Sequence, residues 1–223
     1  MRPGSTIGGR THPAGAGFAT AMRGAAPGDH WLVHGDGRRG RLPVRRWHGP
    51  VEPAAAAVVA RCTGPTIDLG CGPGRITLAL GRAGVTAIGV DACADAVALA
   101  RSRGAVAIHQ DLFDPLPAEG RWAHAVLLDG NIGIGGDPVA LLRRCRSLLA
   151  RAGTVLVELD RPGAGFWQGH ARVAGPHRQA LGPVFPWARL DTASAAPVAA
   201  RAGFEVCQVI QRGGRWFAEL GQP

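Results

Sequence analysis

Four aspartates and three glycines fall where short apolar runs end. Asp68 sits in "TIDLG", directly ahead of Gly70, Gly72 and Gly74, Asp91 closes "AIGVD", Asp111 lies in "HQDLF", and Asp129 follows "HAVLL". Glycine gives up conformational entropy on folding, so three at alternate positions behind an apolar run imply a tight turn with a ligand lying against its backbone. A dinucleotide fingerprint would place the third glycine at position 75, but Arg75 stands there and the glycine comes one residue earlier. Asp91, twenty-one positions after Gly70, can accept hydrogen bonds from both hydroxyls of a ribose. Asp111 can accept from an exocyclic adenine amine. The spacing outlines an adenosine.

These residues need elements to hold them at one edge, and the chain supplies an alternation. A helix over Glu52–Arg61 precedes a strand at Thr66–Leu69, a helix from Pro73 to Ala83, a strand at Val85–Val90, a helix from Cys93 to Arg103 and a strand at Ala105–His109. Ala123–Leu128 reads as a buried strand. Asp137-Pro138 opens a helix striped by Leu141, Leu142, Cys145, Leu148 and Leu149, followed by a strand at Thr154–Leu159. The runs Phe204–Ile210 and Arg215–Leu220 meet at Gly213-Gly214, a hairpin signal. The expected fold class is α/β: a Rossmann-like, doubly wound, mostly parallel seven-stranded sheet with an antiparallel final strand.

The loop "DLGCGPG", the acidic strand end "GVDACADAV", the "QDLF" after the third strand and the closing hairpin together resemble the class I S-adenosylmethionine-dependent methyltransferases, of the type 11 or type 25 domain, over roughly residues 52–223. The resemblance implies S-adenosyl-L-methionine as cofactor. Gly70, Gly72 and Gly74 would pass beneath its methionyl part, and Asp68 would orient that loop and the amino group. Asp91 would hold the ribose, and Asp111 with Leu112 would frame the adenine. Cys71, Ala92 and Asp129 complete the expected cofactor contacts. "ARAG" before the fifth strand departs from the family's Pro-Gly-Gly and touches only a turn.

The fourth strand end faces the transferring methyl in that family, so Asp129 and Asn131 are the expected catalytic positions. Methyl transfer from a sulfonium needs no metal, and positioning supplies much of the acceleration. An acceptor bearing a proton needs a base, for which Asp129, His34, His48 and His170 are candidates. His109 reads as an interior histidine, and Arg143, Arg144 and Arg146 as a solvated helix face. "DGNIG" is not the Asn/Asp-Pro-Pro-aromatic tetrapeptide of nucleic-acid methyltransferases. Phe166, Trp167, Phe185 and Trp187 point to an apolar pocket for a small organic acceptor. The alternatives are an RNA, DNA or protein methyltransferase, an NAD(P)-binding oxidoreductase, or a cofactor-binding protein without turnover.

Composition fits a globular chain: 223 residues are 46% hydrophobic and 18% charged. The net charge of +9 comes from arginine alone, and eight arginines against Asp29, Asp36 and Glu52 concentrate it in residues 1–52. Arg38–Arg46 with Trp31 and Trp47 keep a nucleic-acid partner open as a minor reading. Five cysteines without a CxxC pair read as small core hydrophobes in a reducing compartment. No apolar run approaches the ~18 residues of a bilayer span, so the expected location is cytoplasmic. The expected domains are a flexible segment at 1–28, an arm and possible lid at 29–51, and the catalytic domain at 52–223. The irregular stretches His30–Pro50 and Arg161–Arg189 are expected to cover the methyl-transfer end of the sheet. Removing 1–28 is expected to leave cofactor affinity nearly intact.

Overall fold

The structure is a computed structural model describing residues 13–23, 29–176 and 182–223. Its larger sheet holds β3 (Thr66–Leu69), β4 (Ala87–Asp91), β5 (Ala107–His109), β6 (Trp122–Leu127), β7 (Leu149–Leu159), β10 (Glu205–Arg212) and β11 (Arg215–Gly221). The strand order is β10-β11-β7-β6-β3-β4-β5. β3 pairs in parallel with β4 and β6, β4 with β5 and β6 with β7, whereas β11 runs antiparallel to β7 and to β10. The fold is the expected Rossmann-like one, and successive connections leave β3 in opposite directions, so a crevice opens at its carboxyl end.

The strands are apolar on both faces because helices cover both. Along β6, Ala125 and Leu127 pack with α6 (Pro138–Leu148) and α7 (Ala195–Ala202). Val126 faces the other way, onto α3 (Pro53–Val59) and α4 (Arg75–Arg82). α5 (Ala94–Ser102) buries Val97 and Ala100 against Ala107 of β5. The start of α6 follows its local code: Pro138 occupies the first turn, and the Asp137 carboxylate accepts from the amides of Val139 at 2.9 Å and Ala140 at 3.1 Å.

The two stretches expected to be irregular are instead strands of a second sheet. β1 (His30–His34), β2 (Arg39–Leu42), β8 (Trp167–Ala174) and β9 (Phe185–Arg189) form an antiparallel sheet in the order β2-β1-β8-β9. β1 pairs with β8 from Trp31↔Ala174 to His34↔Ala171, so the arm and the insertion complete one another. β1–β2 and β8–β9 are pairs of consecutive strands, but the central β1–β8 pairing joins segments more than a hundred residues apart, which local pattern does not reveal. Its inner face buries Leu32, Ala171, Val173, Phe185 and Trp187. α2 (Val44–His48) follows β2 and buries Trp47.

The segment 1–28, expected to be without structure, contains α1 (Pro13–Met22), while 1–12 and 24–28 lie outside the described residues. Phe18 of α1 packs among Trp47, Phe185 and Trp187, with ring centroids 5.5 to 6.1 Å apart. Such aromatic packing buries large apolar area and fixes the helix on the small sheet. Two sites seat that sheet on the large one. Ile134 bridges to Trp187, and a Cβ on Gly133 would stand 2.2 Å from the Ala188 carbonyl oxygen. Asp160 bridges to Asp191, whose carboxylate accepts from the amides of Gly163, Gly165 and Ser194.

Candidate active site

Between the two sheets lies a cavity of about 330 Å3. Its floor is the carboxyl edge of the parallel strands. Asp68, Gly70, Cys71, Gly72, Asp91, Ala92, Asp111, Leu112, Asp129 and Asn131 line it, so ten of the eleven site residues expected from sequence converge there. Gly74 is the exception. A Cβ at that position would meet Ala100 of α5 at 2.8 Å, so Gly74 serves helix packing around the loop.

The glycine loop is held from three sides. The Asp91 carboxylate accepts from the Gly72 amide and from the Cys93 amide, each at 2.8 Å. The Val90 carbonyl accepts from the amides of Gly70 and Cys71. Asn131 donates its side-chain amide to the carbonyls of Leu69 and Gly70, at 2.9 and 2.8 Å. Gly70 has φ +73°, and a Cβ there would stand 2.5 Å from Asn131 Nδ2, so both conformation and space require glycine. At Gly72 nothing lies within 4 Å of the Cβ position, which leaves the loop open toward the cavity.

Asp68 is 2% exposed, and its Oδ2 accepts from the Thr77 amide at 3.1 Å and hydroxyl at 2.7 Å, tying β3 to the first turn of α4. Burial pushes its pKa up to about 6, against the Thr77 hydroxyl bond and the Arg75 charge. Burial also raises Asp91, against its two backbone hydrogen bonds. Asp111 accepts from the Phe113 amide at 3.0 Å.

Asp129 lines the cavity and is engaged by three arginines. Its Oδ2 accepts from Arg75 at 2.7 Å, and its Oδ1 takes Arg215 and Arg46, each at 2.9 Å. Arg75 and Arg215 also pair with Glu52, and Arg215 grips Glu158 through two nitrogens. Three guanidinium groups thus face three carboxylates, and Glu158 accepts from the Asp129 amide at 2.6 Å. Burial, then the Asp129 charge, pushes Glu158 up to about 7. Buried charges persist when each has a partner, so this balanced cluster is a structural junction joining α2, α3, α4, β6, β7 and β11. Both oxygens of Asp129 are thus engaged by guanidinium groups.

The sequence of residues 67–153 matches the family model described as a methyltransferase domain. This stretch therefore carries the sequence pattern of a methyltransferase domain. The whole chain is similar in fold to a SAM-dependent methyltransferase from Bacteroides fragilis crystallised with S-adenosyl-L-homocysteine, with a TM-score of 0.73 and 22% identity over 94% of each chain. It is also similar to the Burkholderia thailandensis 1,6-didemethyltoxoflavin-N1-methyltransferase, with a TM-score of 0.61 and 18% identity over 99% of this chain and 93% of that one. A third similar structure is the CcbJ methyltransferase of Streptomyces caelestis, with a TM-score of 0.62 and 18% identity over 96% and 98%. No curated protein sequence matches the chain. Among the described residues, no helix is long and apolar enough to cross a membrane.

The roof of the cavity was assigned to the site from sequence only at Trp187 and, as a possible base, His34; Phe166, Trp167 and Phe185, expected with Trp187 to form the apolar pocket, do not line it. It comprises Phe18 and Met22 of α1, Leu32 and His34 of β1, Arg46 and Trp47 of α2, and Trp187 and Arg189 of β9. The signal available was the run of aromatics, histidines and arginines from His30 to Trp47. A Cβ on Gly15 would stand 2.2 Å from the Ala92 carbonyl oxygen, so α1 lies directly on the turn after Asp91. Three further readings change. His109 is exposed and its Nε2 lies 3.1 Å from the Ala92 carbonyl oxygen. Arg144 donates to the carbonyls of Leu112 and Asp114 and to Glu119, holding the loop beside Asp111. Cys207 is exposed, whereas the other four cysteines are buried.

Proposed function

We propose that the protein is an S-adenosylmethionine-dependent methyltransferase acting on a small organic acceptor. The observation that carries this reading is the cavity itself, with a glycine loop and strand-end carboxylates as its floor and an aromatic, largely apolar roof. Asp91 has carboxylate lone pairs left for ribose hydroxyls after its two backbone bonds, and Asp111 with Leu112 stands where an adenine edge fits. Asp68 and Thr77 stiffen the loop, and the partly ionised Asp68 favours a cationic amino group. When bound, the cofactor supplies a methyl group on a positively charged sulfur. The roof excludes water from that charge and holds the acceptor in line, so positioning does most of the work. Asn131 acts as a positioning residue through its grip on the Gly70 carbonyl.

A small acceptor is favoured over nucleic acid because three of the five arginines of the arm are already engaged. Arg38 pairs with Asp36, Arg41 with Asp29 and Arg46 with Asp129. Calorimetry with S-adenosylhomocysteine tests the cofactor assignment, with NADH as the competing ligand. Binding of NADH without S-adenosylhomocysteine would replace it with an oxidoreductase. Incubation with methyl-labelled S-adenosylmethionine and a panel of phenols, amines and heterocycles tests the acceptor class. Label found only in RNA or protein would overturn it.

A further inference from the structure

Four groups stood as candidates for the proton acceptor, and the fold separates them. Asp129 is occupied by three arginines. The Nε2 of His48 lies 3.3 Å from the Ala21 carbonyl oxygen, and His48 does not line the cavity. His170 is exposed and likewise lies outside the lining. His34 lines the cavity, the one histidine among the described residues to do so, and it is 4% exposed. Its ring stands edge-on to Trp167 at 4.5 Å, which fixes its plane, and its Nδ1 is buried without a hydrogen-bond partner. A buried polar group left unpaired in the protein costs stability, so its retention at a ligand cavity calls for a function.

The surroundings of His34 suit a base. Burial first, then the positive charge of Arg189 on β9, lowers its pKa, with Arg38 of the β1–β2 turn adding to this and Asp36 of the turn and Asp160 after β7 opposing it. The imidazole is therefore uncharged near neutral pH. Phe18, Trp47 and Trp187 line the same cavity, and the ring of Phe18 stands 6.1 and 5.8 Å from those of the two tryptophans. The indole Nε1 of Trp47 is also buried without a partner. Flat apolar walls with an unpaired donor and an uncharged imidazole match an aromatic ring bearing an ionisable hydroxyl.

Resting on the methyltransferase reading above, we propose that His34 is the catalytic proton acceptor for a phenol-type hydroxyl whose ring docks among Phe18, Trp47 and Trp187. The O–H bond breaks, its electron pair remains on oxygen, and the proton passes to the unprotonated imidazole nitrogen. The imidazolium returns the proton to water after the product leaves.

The test uses the full chain loaded with S-adenosylhomocysteine and titrated with 4-nitrophenol, whose yellow anion reports its own ionisation. Isotope-labelled histidine reports the charge of His34 in the same sample. The expected result is a bound phenol that ionises about tenfold more readily than free phenol, one pKa unit, while the His34 signal moves to imidazolium. In His34→Gln the tenfold shift is lost and S-adenosylhomocysteine affinity stays within about twofold, because His34 packs on Trp167 of the small sheet, whereas it is α1 that lies on the turn after Asp91. The proposal is overturned if the phenol fails to bind the loaded protein, if it binds with His34 unchanged, or if His34→Gln ionises it equally. The wild-type histidine spectrum decides even where the variant fails to fold. Calorimetry of S-adenosylhomocysteine alone precedes the titration, so failure of the cofactor reading is seen separately.

Discussion

The two sheets that enclose the cavity are built by opposite rules. In the seven-stranded sheet α4 joins β3 to β4, α5 joins β4 to β5 and α6 joins β6 to β7, with β5 running to β6 by a loop, and every strand end that carries an expected cofactor contact points the same way. In the four-stranded sheet β1 pairs at once with β2 but waits for β8, well over a hundred residues later, and the elements from α3 to β7 between them belong to the other sheet. The floor is thus assembled from local repeats and the roof from distant pieces. Local assembly suits a fixed cofactor pocket, whereas a roof made of remote segments can vary with the acceptor while the floor stays the same. Besides the Ile134–Trp187 and Asp160–Asp191 bridges, the two are tied at the charged junction of Arg46, Arg75, Arg215, Glu52, Asp129 and Glu158, which α2 reaches from the end of β2.

Breaking that tie gives the largest expected effect. Arg215→Ala leaves Asp129, Glu158 and Glu52 short of a partner, and removing one member of a buried ion pair costs about 3 to 5 kcal/mol. Chemical denaturation should show that loss, and a value below about 1 kcal/mol would mean the junction is solvated. Next comes the floor. Asp91→Ala removes the acceptor for the Gly72 amide and the proposed ribose contact, and charged hydrogen bonds contribute about 1.5 to 3 kcal/mol. S-adenosylhomocysteine affinity should fall about a hundredfold by calorimetry.

A smaller effect belongs to α1, and it reverses the expectation that residues 1–28 are dispensable for cofactor affinity. Because Gly15 abuts the Ala92 carbonyl and Phe18 lines the cavity, deletion of 1–23 should weaken S-adenosylhomocysteine binding by about tenfold, roughly 1.4 kcal/mol. Unchanged affinity would confine the cofactor to the floor and leave α1 to the acceptor.

The smallest effect is a pH dependence. Asp68 has its pKa raised to about 6 in the folded protein from 3.8. Between those values the folded state holds a proton that the unfolded state has released, so this group's contribution to stability falls as pH rises through about 6. The cofactor's ammonium prefers the ionised carboxylate, so affinity for S-adenosylhomocysteine should rise a few-fold over the same interval. Asp68→Asn should flatten that rise, and a wild-type affinity constant from pH 5 to 7.5 would remove Asp68 from the amino-group contact.

Particular residues mark how far the sequence could be read. The places of Asp68, Gly70, Gly72, Asp91 and Asp111 at one sheet edge were legible because each depends on position along a strand and the turn after it, which the chain encodes within a few residues. The order of helices and strands from Pro53 to Leu159, and the closing hairpin, was legible for the same reason, whereas β8, β9 and α7 were not read. Arg75 shows the boundary. Its place broke a dinucleotide pattern on sight, yet its partners Glu52 and Asp129 are 23 and 54 positions away. His34 was one of several possible bases until β1 paired with β8 and turned it over the cavity. Asp129 was a plausible base until three arginines closed on it. The sequence by itself determined the cofactor edge, because hydrophobic period and glycine conformation act locally. Only the tertiary structure decided the roof, the charged junction and the buried histidine, because antiparallel pairing and ion pairing depend on segments that no local pattern brings together.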